Sequence, residues 1–136
     1  KVESHTNSVR LVSKVGKSIP LYCSGVGKAL LAEMNDEQVR DIWRRSDILP
    51  LTPNTITDYK AFNSLLDTVR KQGYAIDNEE NELGVRCIAM GLRDYTGRVQ
   101  YAFSISAPLT RMSDDRLAEL IPHLLTAKEK ILAAWK

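Results

Sequence analysis

The sequence has few of the residues that build disulfide frameworks, metal sites and membrane spans. It holds two cysteines and two histidines among 136 residues. Cys23 and Cys87 lack CxxC spacing and are too few for a disulfide scaffold, so both are predicted to be reduced thiols that hold no structural metal. No apolar run approaches the roughly twenty residues that cross a bilayer, and the first residues lack the apolar centre of a signal peptide. We therefore expect no membrane partner and a cytoplasmic location.

The chain also lacks a strong excess of either charge. Nineteen Lys and Arg residues face seventeen Asp and Glu residues, a net charge of +2. The basic residues are scattered, without the patch that nucleic-acid binding requires, so this segment is not expected to bind DNA by itself. A hydrophobic content of 43% and a charged content of 26% suit one compact domain over residues 1–136.

Periodicity and capping signals predict an α+β fold. Strands are predicted at residues 9–13 and 19–22, and helices from Lys28 onward, at 35–45 and at 58–72, the last closed by Gly73. A final helix begins at Ser113 and either kinks at Pro122 or divides there into two; we expect a kink. With the hairpin described next, this order predicts an antiparallel sheet with helices on its faces.

A β-hairpin is the clearest local prediction. The apolar runs 85–92 and 99–105 flank a turn at 94–97, whose Asp and Gly suit a tight reversal. In the second strand Ser104 and Ser106 fall on one face, because side chains alternate with period two. Their hydroxyls are candidates for binding a small polar ligand, although strand serines also bond to neighbouring backbone. Cys87, in a mostly apolar first strand, is expected to be buried.

Two other segments carry chemistry-bearing residues. Residues 24–27, Ser-Gly-Val-Gly at a helix start, could bind an anion through free amides, or could simply allow a sharp turn. They match neither a Walker nor a dinucleotide motif, so Lys28 is expected to be a solvated helix residue. The acidic run 77–82 reads as a solvated loop and lacks the ligand pattern and glycine of an EF-hand.

These segments together resemble the C-terminal effector-binding domain of IclR-type transcriptional regulators. The resemblance covers nearly the whole chain and rests on residues 16–32, GKSIPLYCSGVGKALLA, and on a downstream signature. That signature consists of Gly73, Asp77, Glu80, Cys87, Ile88, Ala89, Leu92 and Asp94. Arg93 departs from it, since the family usually has an aromatic residue or His there.

The resemblance implies a GAF-like sensor domain that binds a small effector and is not an enzyme. By position-by-position comparison, the effector-binding residues would be Gly25, Val26, Asp77, Cys87, Ser104 and Ser106. The apolar pocket wall would consist of Leu11, Ile19 and Leu21. The effector implied is a small carboxylate, such as a keto acid, sugar acid or aromatic acid, with no cofactor or metal.

The resemblance also implies partners and missing elements. The domain would form homodimers or homotetramers, and DNA would be bound by a winged helix-turn-helix domain outside residues 1–136. An opening helix and strand of the effector domain would likewise precede Lys1. Effector binding would then alter oligomer packing and operator binding.

Two other functions stay open at this point. A small hydrolase or isomerase could use Cys87 with Asp77, but it would need a base, and His5 and His123 are not well placed. An oligomerisation module with a vestigial pocket would be favoured if Arg93 filled the cavity.

Overall fold

A computed structural model describes residues 1–11 and 13–135. It contains four α-helices, three β-strands and one turn of 3-10 helix. In chain order these are α1 (Gly25–Ala32), α2 (Asp36–Arg45), α3 (Tyr59–Gln72), β1 (Ala75–Asn78), β2 (Val85–Arg93), β3 (Val99–Pro108), the 3-10 turn (Leu109–Arg111) and α4 (Asp114–Ala134).

The three strands form one antiparallel sheet in the order β1-β2-β3. The predicted hairpin is confirmed, with β3 extending beyond residue 105 to Pro108. Its turn is held by Asp94, whose carboxylate accepts hydrogen bonds from the amides of Thr96 and Arg98 at 2.8 and 3.0 Å. Gly97 has a φ of +81°, which L side chains adopt only with strain.

The predicted helices α2, α3 and α4 are confirmed and begin at the expected caps. Asn35 and Gln38 form a reciprocal capping box on α2. Asp58 caps α3 and Ser113 caps α4 through side-chain oxygens. Helix α4 runs as one helix through Pro122, so the two-helix alternative is wrong.

The sheet separates two apolar cores. Ile88 and Met90 of β2 pack against Leu117 and Leu124 of α4. Side chains on the opposite face of β2 meet α1, whose Gly25 lies beside Ala89. Helix α1 in turn contacts α3. The face that carries α1 therefore also carries the alternate residues of β3, which include both candidate serines.

Two predicted strands are wrong. The described residues of the run 9–13 form no strand, and Val12 lies outside the described residues. Residues 19–22 end in a turn, because Pro20 has no N–H to donate to a ladder and its carbonyl accepts a hydrogen bond from Ser24 at 2.6 Å. Strand β1 was not predicted, since it has only four residues. Helix α1 begins at Gly25, one turn earlier than predicted.

Among the described residues, no helix combines the length and apolar character needed to cross a bilayer.

Candidate functional site

A cavity of about 110 Å³, lined by both polar and apolar residues, lies on the α1 face of the sheet. It is bounded by the start of α1, the loop after β1, and the paired strands β2 and β3. Its lining residues are Leu11, Ser13, Ile19, Ser24, Gly25, Val26, Asp77, Asn81, Glu82, Val85, Cys87, Ser104 and Ser106. The glycine turn, the acidic loop and the serine strand thus converge on one space.

The first turn of α1 forms one wall of this cavity. Ser24 is the N-cap, and its hydroxyl accepts a hydrogen bond from the amide of Gly27 at 3.1 Å. The amides of Gly25 and Val26 donate no hydrogen bond within the described part of the chain. Free amides and the positive end of the helix dipole favour an anion at this point.

Strands β2 and β3 form the floor. Cys87 lies opposite Ser106 and Ala89 opposite Ser104 in the ladder, so the two serines project on the same face, as predicted. The hydroxyl of Ser106 donates to the sulfur of Cys87 at 2.9 Å. Burial raises the pKa of the Cys87 thiol to about 11. Cys87 is half-buried rather than fully buried, and it is protonated at neutral pH, which disfavours a role as nucleophile.

Asp77 supplies a carboxylate to the cavity although its residue surface is only 3% exposed. One oxygen accepts a hydrogen bond from the amide of Glu80 at 2.8 Å. Burial is the main reason that the pKa of Asp77 is raised, and this outweighs the backbone hydrogen bond that lowers it. The carboxylate is thus held in place and poorly solvated, a condition typical of functional sites.

The expectation that Lys28 is solvated is wrong. Lys28 is 1% exposed, and its ammonium group donates to the carboxylate of Glu80 and to the carbonyl of Ile76. Glu80 is 6% exposed, so the prediction of a solvated acidic loop is also wrong at this residue. The burial of Lys28 and Glu80 was not predicted because they are 52 residues apart in sequence, and only the fold brings them together.

All the sequence-predicted site residues except Leu21 lie at the cavity. Leu21 points into the helical core instead, beside Tyr22 and Phe62. Five further residues line the cavity that were not predicted as site residues: Ser13, Ser24, Asn81, Glu82 and Val85. Ser24 and Asn81 could have been suggested by their positions within the glycine turn and the acidic run.

Arg93 does not fill the cavity. It lies at the far end of β2, where its guanidinium pairs with Glu33 at 2.7 Å and donates to the carbonyl of Gly97 at 2.9 Å. In the part of the chain that the structure describes, no group of three or more His, Cys, Asp or Glu residues could hold a metal ion. The groups that the cavity offers to a ligand are hydroxyls, carboxylates and free helix amides.

Substituting Asp77 with Asn is expected to stabilise the free domain at neutral pH. Because the pKa of Asp77 is raised in the folded state, the folded protein holds more protons than the unfolded chain just above the usual value of 3.8. The free energy of unfolding therefore falls as pH rises through this window. An Asn at position 77 does not ionise, so the variant avoids this fall in stability. Its side-chain oxygen can still accept the hydrogen bond from the Glu80 amide. Urea denaturation at several pH values measures the effect.

The stability gain of Asp77→Asn should shrink as pH falls through the usual value of 3.8 and vanish well below it, where aspartate is protonated in both states. Asp77→Ala is the matched control, because it also removes the charge but deletes the acceptor of the Glu80 amide. A gain for Asn that is independent of pH would contradict the assigned cause.

Comparison with known proteins identifies the family. The family model described as bacterial transcriptional regulator IclR C-terminal matches residues 1–133. The HTH-type transcriptional regulator KdgR of Escherichia coli (strain K12) is 42% identical over 133 residues, which cover 98% of this chain and 50% of KdgR. The chain spans about half the length of the curated relatives it matches.

Solved structures agree with this assignment. The crystal structure of the C-terminal domain of E. coli KdgR matches with a TM-score of 0.78 and 44% identity, covering 84% of this chain and 70% of that one. The inducer-binding domain of PobR from Acinetobacter matches with a TM-score of 0.82 and 29% identity, covering 93% of this chain and 73% of that one. The predicted α+β fold is thus confirmed, and these relatives are transcriptional regulators rather than enzymes. The chain belongs to the IclR family of bacterial transcriptional regulators, in the region of their C-terminal domain.

Proposed function

We propose that this domain binds a small carboxylate effector in the cavity between α1 and the sheet. The observation that carries the proposal is the convergence of two free amides, at Gly25 and Val26, with the hydroxyls of Ser104 and Ser106 and the carboxylate of Asp77. The ligand carboxylate would accept hydrogen bonds from the amides and hydroxyls, with the Ser106 hydroxyl turning from the Cys87 sulfur to the ligand. Asp77 would accept hydrogen bonds from hydroxyl groups or a carbonyl hydrate.

The ligand class has support from a relative. A double mutant of the PobR inducer-binding domain is described in complex with 3-hydroxybenzoic acid, which carries one carboxylate and one hydroxyl. The cavity here, of about 110 Å³, favours keto acids, sugar acids or small aromatic acids of similar functionality. Leu11 and Ile19 would supply its apolar wall, and Cys87 would contact the ligand as a neutral thiol.

The expected affinity is modest. A ligand of six heavy atoms reaches about 9 kcal/mol even at the best observed value of roughly 1.5 kcal/mol per atom. Micromolar to millimolar dissociation constants are therefore expected. Such affinities suit sensing of a metabolite at cellular concentrations.

Regulation would require that the effector bind two conformations unequally. A coupling of about 1 to 3 kcal/mol is typical of allosteric proteins. In a homodimer or homotetramer, this coupling would change subunit packing and hence operator binding by the winged helix-turn-helix domain, outside residues 1–136. Because such a regulator works on the chromosome, we place the protein in the cytoplasm.

Ser106→Ala and Asp77→Ala are expected to weaken effector binding while the fold is retained. The loss of one hydrogen bond to a charged group costs about 1.5 to 3 kcal/mol, or roughly 10- to 100-fold in affinity. Calorimetry with pyruvate, gluconate and 3-hydroxybenzoate measures it, and circular dichroism checks the fold. Ser64→Ala is the control, since Ser64 is exposed on α3 and bonds only to the Lys60 carbonyl among the described residues.

Unchanged affinity in both cavity variants would reject this binding mode. The same incubations test the enzyme alternative, because all three acids should be recovered unchanged. The oligomerisation alternative predicts instead that no acid binds and that the oligomeric state is insensitive to all three.

A further inference from the structure

The ion pair between Lys28 and Glu80 lies directly behind the cavity. Among the described residues, no other ion pair has both side chains less than a tenth exposed. Neither residue lines the cavity itself. Burying two charges costs several kcal/mol per ion, and apolar side chains of similar size stabilise a core at least as well. Stability alone therefore does not account for this pair.

The pair joins α1 to the acidic loop after β1, and both of these elements contribute residues to the cavity. Lys28 lies one helical turn after Gly25, so it is fixed to the same end of α1 that presents the free amides. Its ammonium group donates to Glu80 in the acidic loop and to the carbonyl of Ile76 in β1. The segment that these two contacts bracket contains Asp77.

Glu80 links the Lys28 ammonium group to Asp77 and its neighbours through several hydrogen bonds. Its carboxylate accepts from the amide of Asn78 at 3.1 Å, and its own amide donates to the Asp77 carboxylate at 2.8 Å. Its carbonyl accepts from the hydroxyl of Thr55 at 2.6 Å. Asn78 and the Asp77 carboxylate are therefore linked through Glu80 to the ammonium group of Lys28, and Glu80 is also held by Thr55.

We propose that Lys28 and Glu80 are positioning residues for effector binding, which set the distance between the helix amides and the Asp77 carboxylate across the cavity. This inference rests on the proposed function. Hydroxylated carboxylates are the ligands most sensitive to this distance, because they must bond to the helix amides and to Asp77 at once. A carboxylate without a second polar group reaches only the amides and is expected to be less affected.

The test compares Lys28→Met and Glu80→Gln with the wild-type chain by calorimetry, using gluconate as the hydroxylated probe and propionate as the short acid that has no second polar group. Both variants are expected to lose about tenfold or more in gluconate affinity, as when outer partners of ligating side chains are removed. Leu124→Ala is the control, because Leu124 lies on α4, buried against the other face of the sheet, and its truncation destabilises the domain without touching the pair. All measurements are made where circular dichroism shows each variant folded.

A second readout separates positioning from general destabilisation. Among the charges acting on Asp77, Lys28 lowers its pKa and Glu80 raises it. An NMR titration should therefore find the pKa of Asp77 higher in Lys28→Met, lower in Glu80→Gln, and unchanged in Leu124→Ala. Destabilisation alone would not give shifts of opposite sign.

Three outcomes are distinguishable. Loss of gluconate affinity in both pair variants but not in Leu124→Ala, with opposite shifts of the Asp77 pKa, supports the inference. Wild-type affinity in the pair variants, or an equal loss in Leu124→Ala, overturns it and leaves the proposed function intact. If the wild-type chain binds neither acid while the pKa shifts appear, the carboxylate proposal fails, and the inference about effector binding fails with it.

Discussion

Replacing Gly27 with alanine is expected to destabilise the domain by about 3 kcal/mol or more, the upper end of the cost of overpacking. A Cβ atom on Gly27 would lie 2.3 Å from the carbonyl oxygen and 2.5 Å from the Cα of Leu21. Both are backbone atoms, so no side-chain rotation relieves the clash. Alanine otherwise favours a helix by about 1 kcal/mol over glycine, which makes the expected sign a direct test of this packing.

Gly73→Ala is the matched control for Gly27→Ala. Gly73 ends α3 with a φ of +83°, and no atom lies within 4 Å of its added Cβ. It should therefore cost only the left-handed backbone strain, about 1 to 2 kcal/mol. Urea denaturation of both variants measures the difference, and an equal cost would show that α1 can move away from Leu21 without loss.

Gly27→Ala should also weaken effector binding in whatever fraction remains folded. Relief of the clash requires the first turn of α1 to move away from residues 20–22, and that turn carries the amides of Gly25 and Val26. Gly73→Ala leaves α1 in place and should bind with wild-type affinity. Calorimetry with gluconate under folding conditions distinguishes the two.

The elements governed by local signals could be predicted from the sequence. Helices α2, α3 and α4 have side-chain caps within a residue or two of apolar periodicity, and these signals depend on neighbours in sequence alone. The hairpin has a turn at 94–97 whose Asp side chain organises its own backbone. The residues that determine such elements therefore lie within about ten residues of one another.

The strand predictions were wrong where a segment depends on partners elsewhere in the chain. The run 9–13 alternates like a strand, but β3 has no hydrogen-bonded neighbour on its outer edge among the described residues. An alternating pattern of apolar and polar residues indicates that a segment is able to form a strand. The strand forms only where a neighbouring strand is available to hydrogen-bond with it. Strand β1 shows the converse, since four residues too short to predict are held by pairing with β2.

The candidate site was predictable as a set of positions but not as a geometry. Periodicity placed Ser104 and Ser106 on one face, and the family resemblance brought Gly25 and Asp77 to the same pocket. Neither source indicated the burial of Lys28, because a lysine among helix formers is usually solvated. The charge of Glu80 could be recognised as structural only once the fold brought it into contact with Lys28, which lies 52 residues earlier in the sequence.

Lys28→Met is expected to cost about 3 to 5 kcal/mol in the free energy of unfolding, because it leaves the Glu80 carboxylate buried without its counter-ion. One oxygen of that carboxylate is already buried without a hydrogen-bond partner in the described part of the chain. Glu80→Gln should cost a similar amount, since it leaves the ammonium group of Lys28 buried and uncompensated. Both costs are measured by urea denaturation at neutral pH.

The double variant Lys28→Met/Glu80→Gln should cost markedly less than the sum of the two single changes. It removes both charges, and the Gln carbonyl can still accept from the amide of Asn78, so only the Ile76 carbonyl loses a partner. A coupling energy within about 0.5 kcal/mol of zero, the range found for independent sites, would show that the pair is not an energetic unit. The pair Arg45 and Asp41 is the control, because it is exposed on α2 and such pairs contribute at most about 1 kcal/mol. A large coupling at the buried pair beside a small one on α2 would mean that burial, rather than charge pairing as such, makes Lys28 and Glu80 depend on each other.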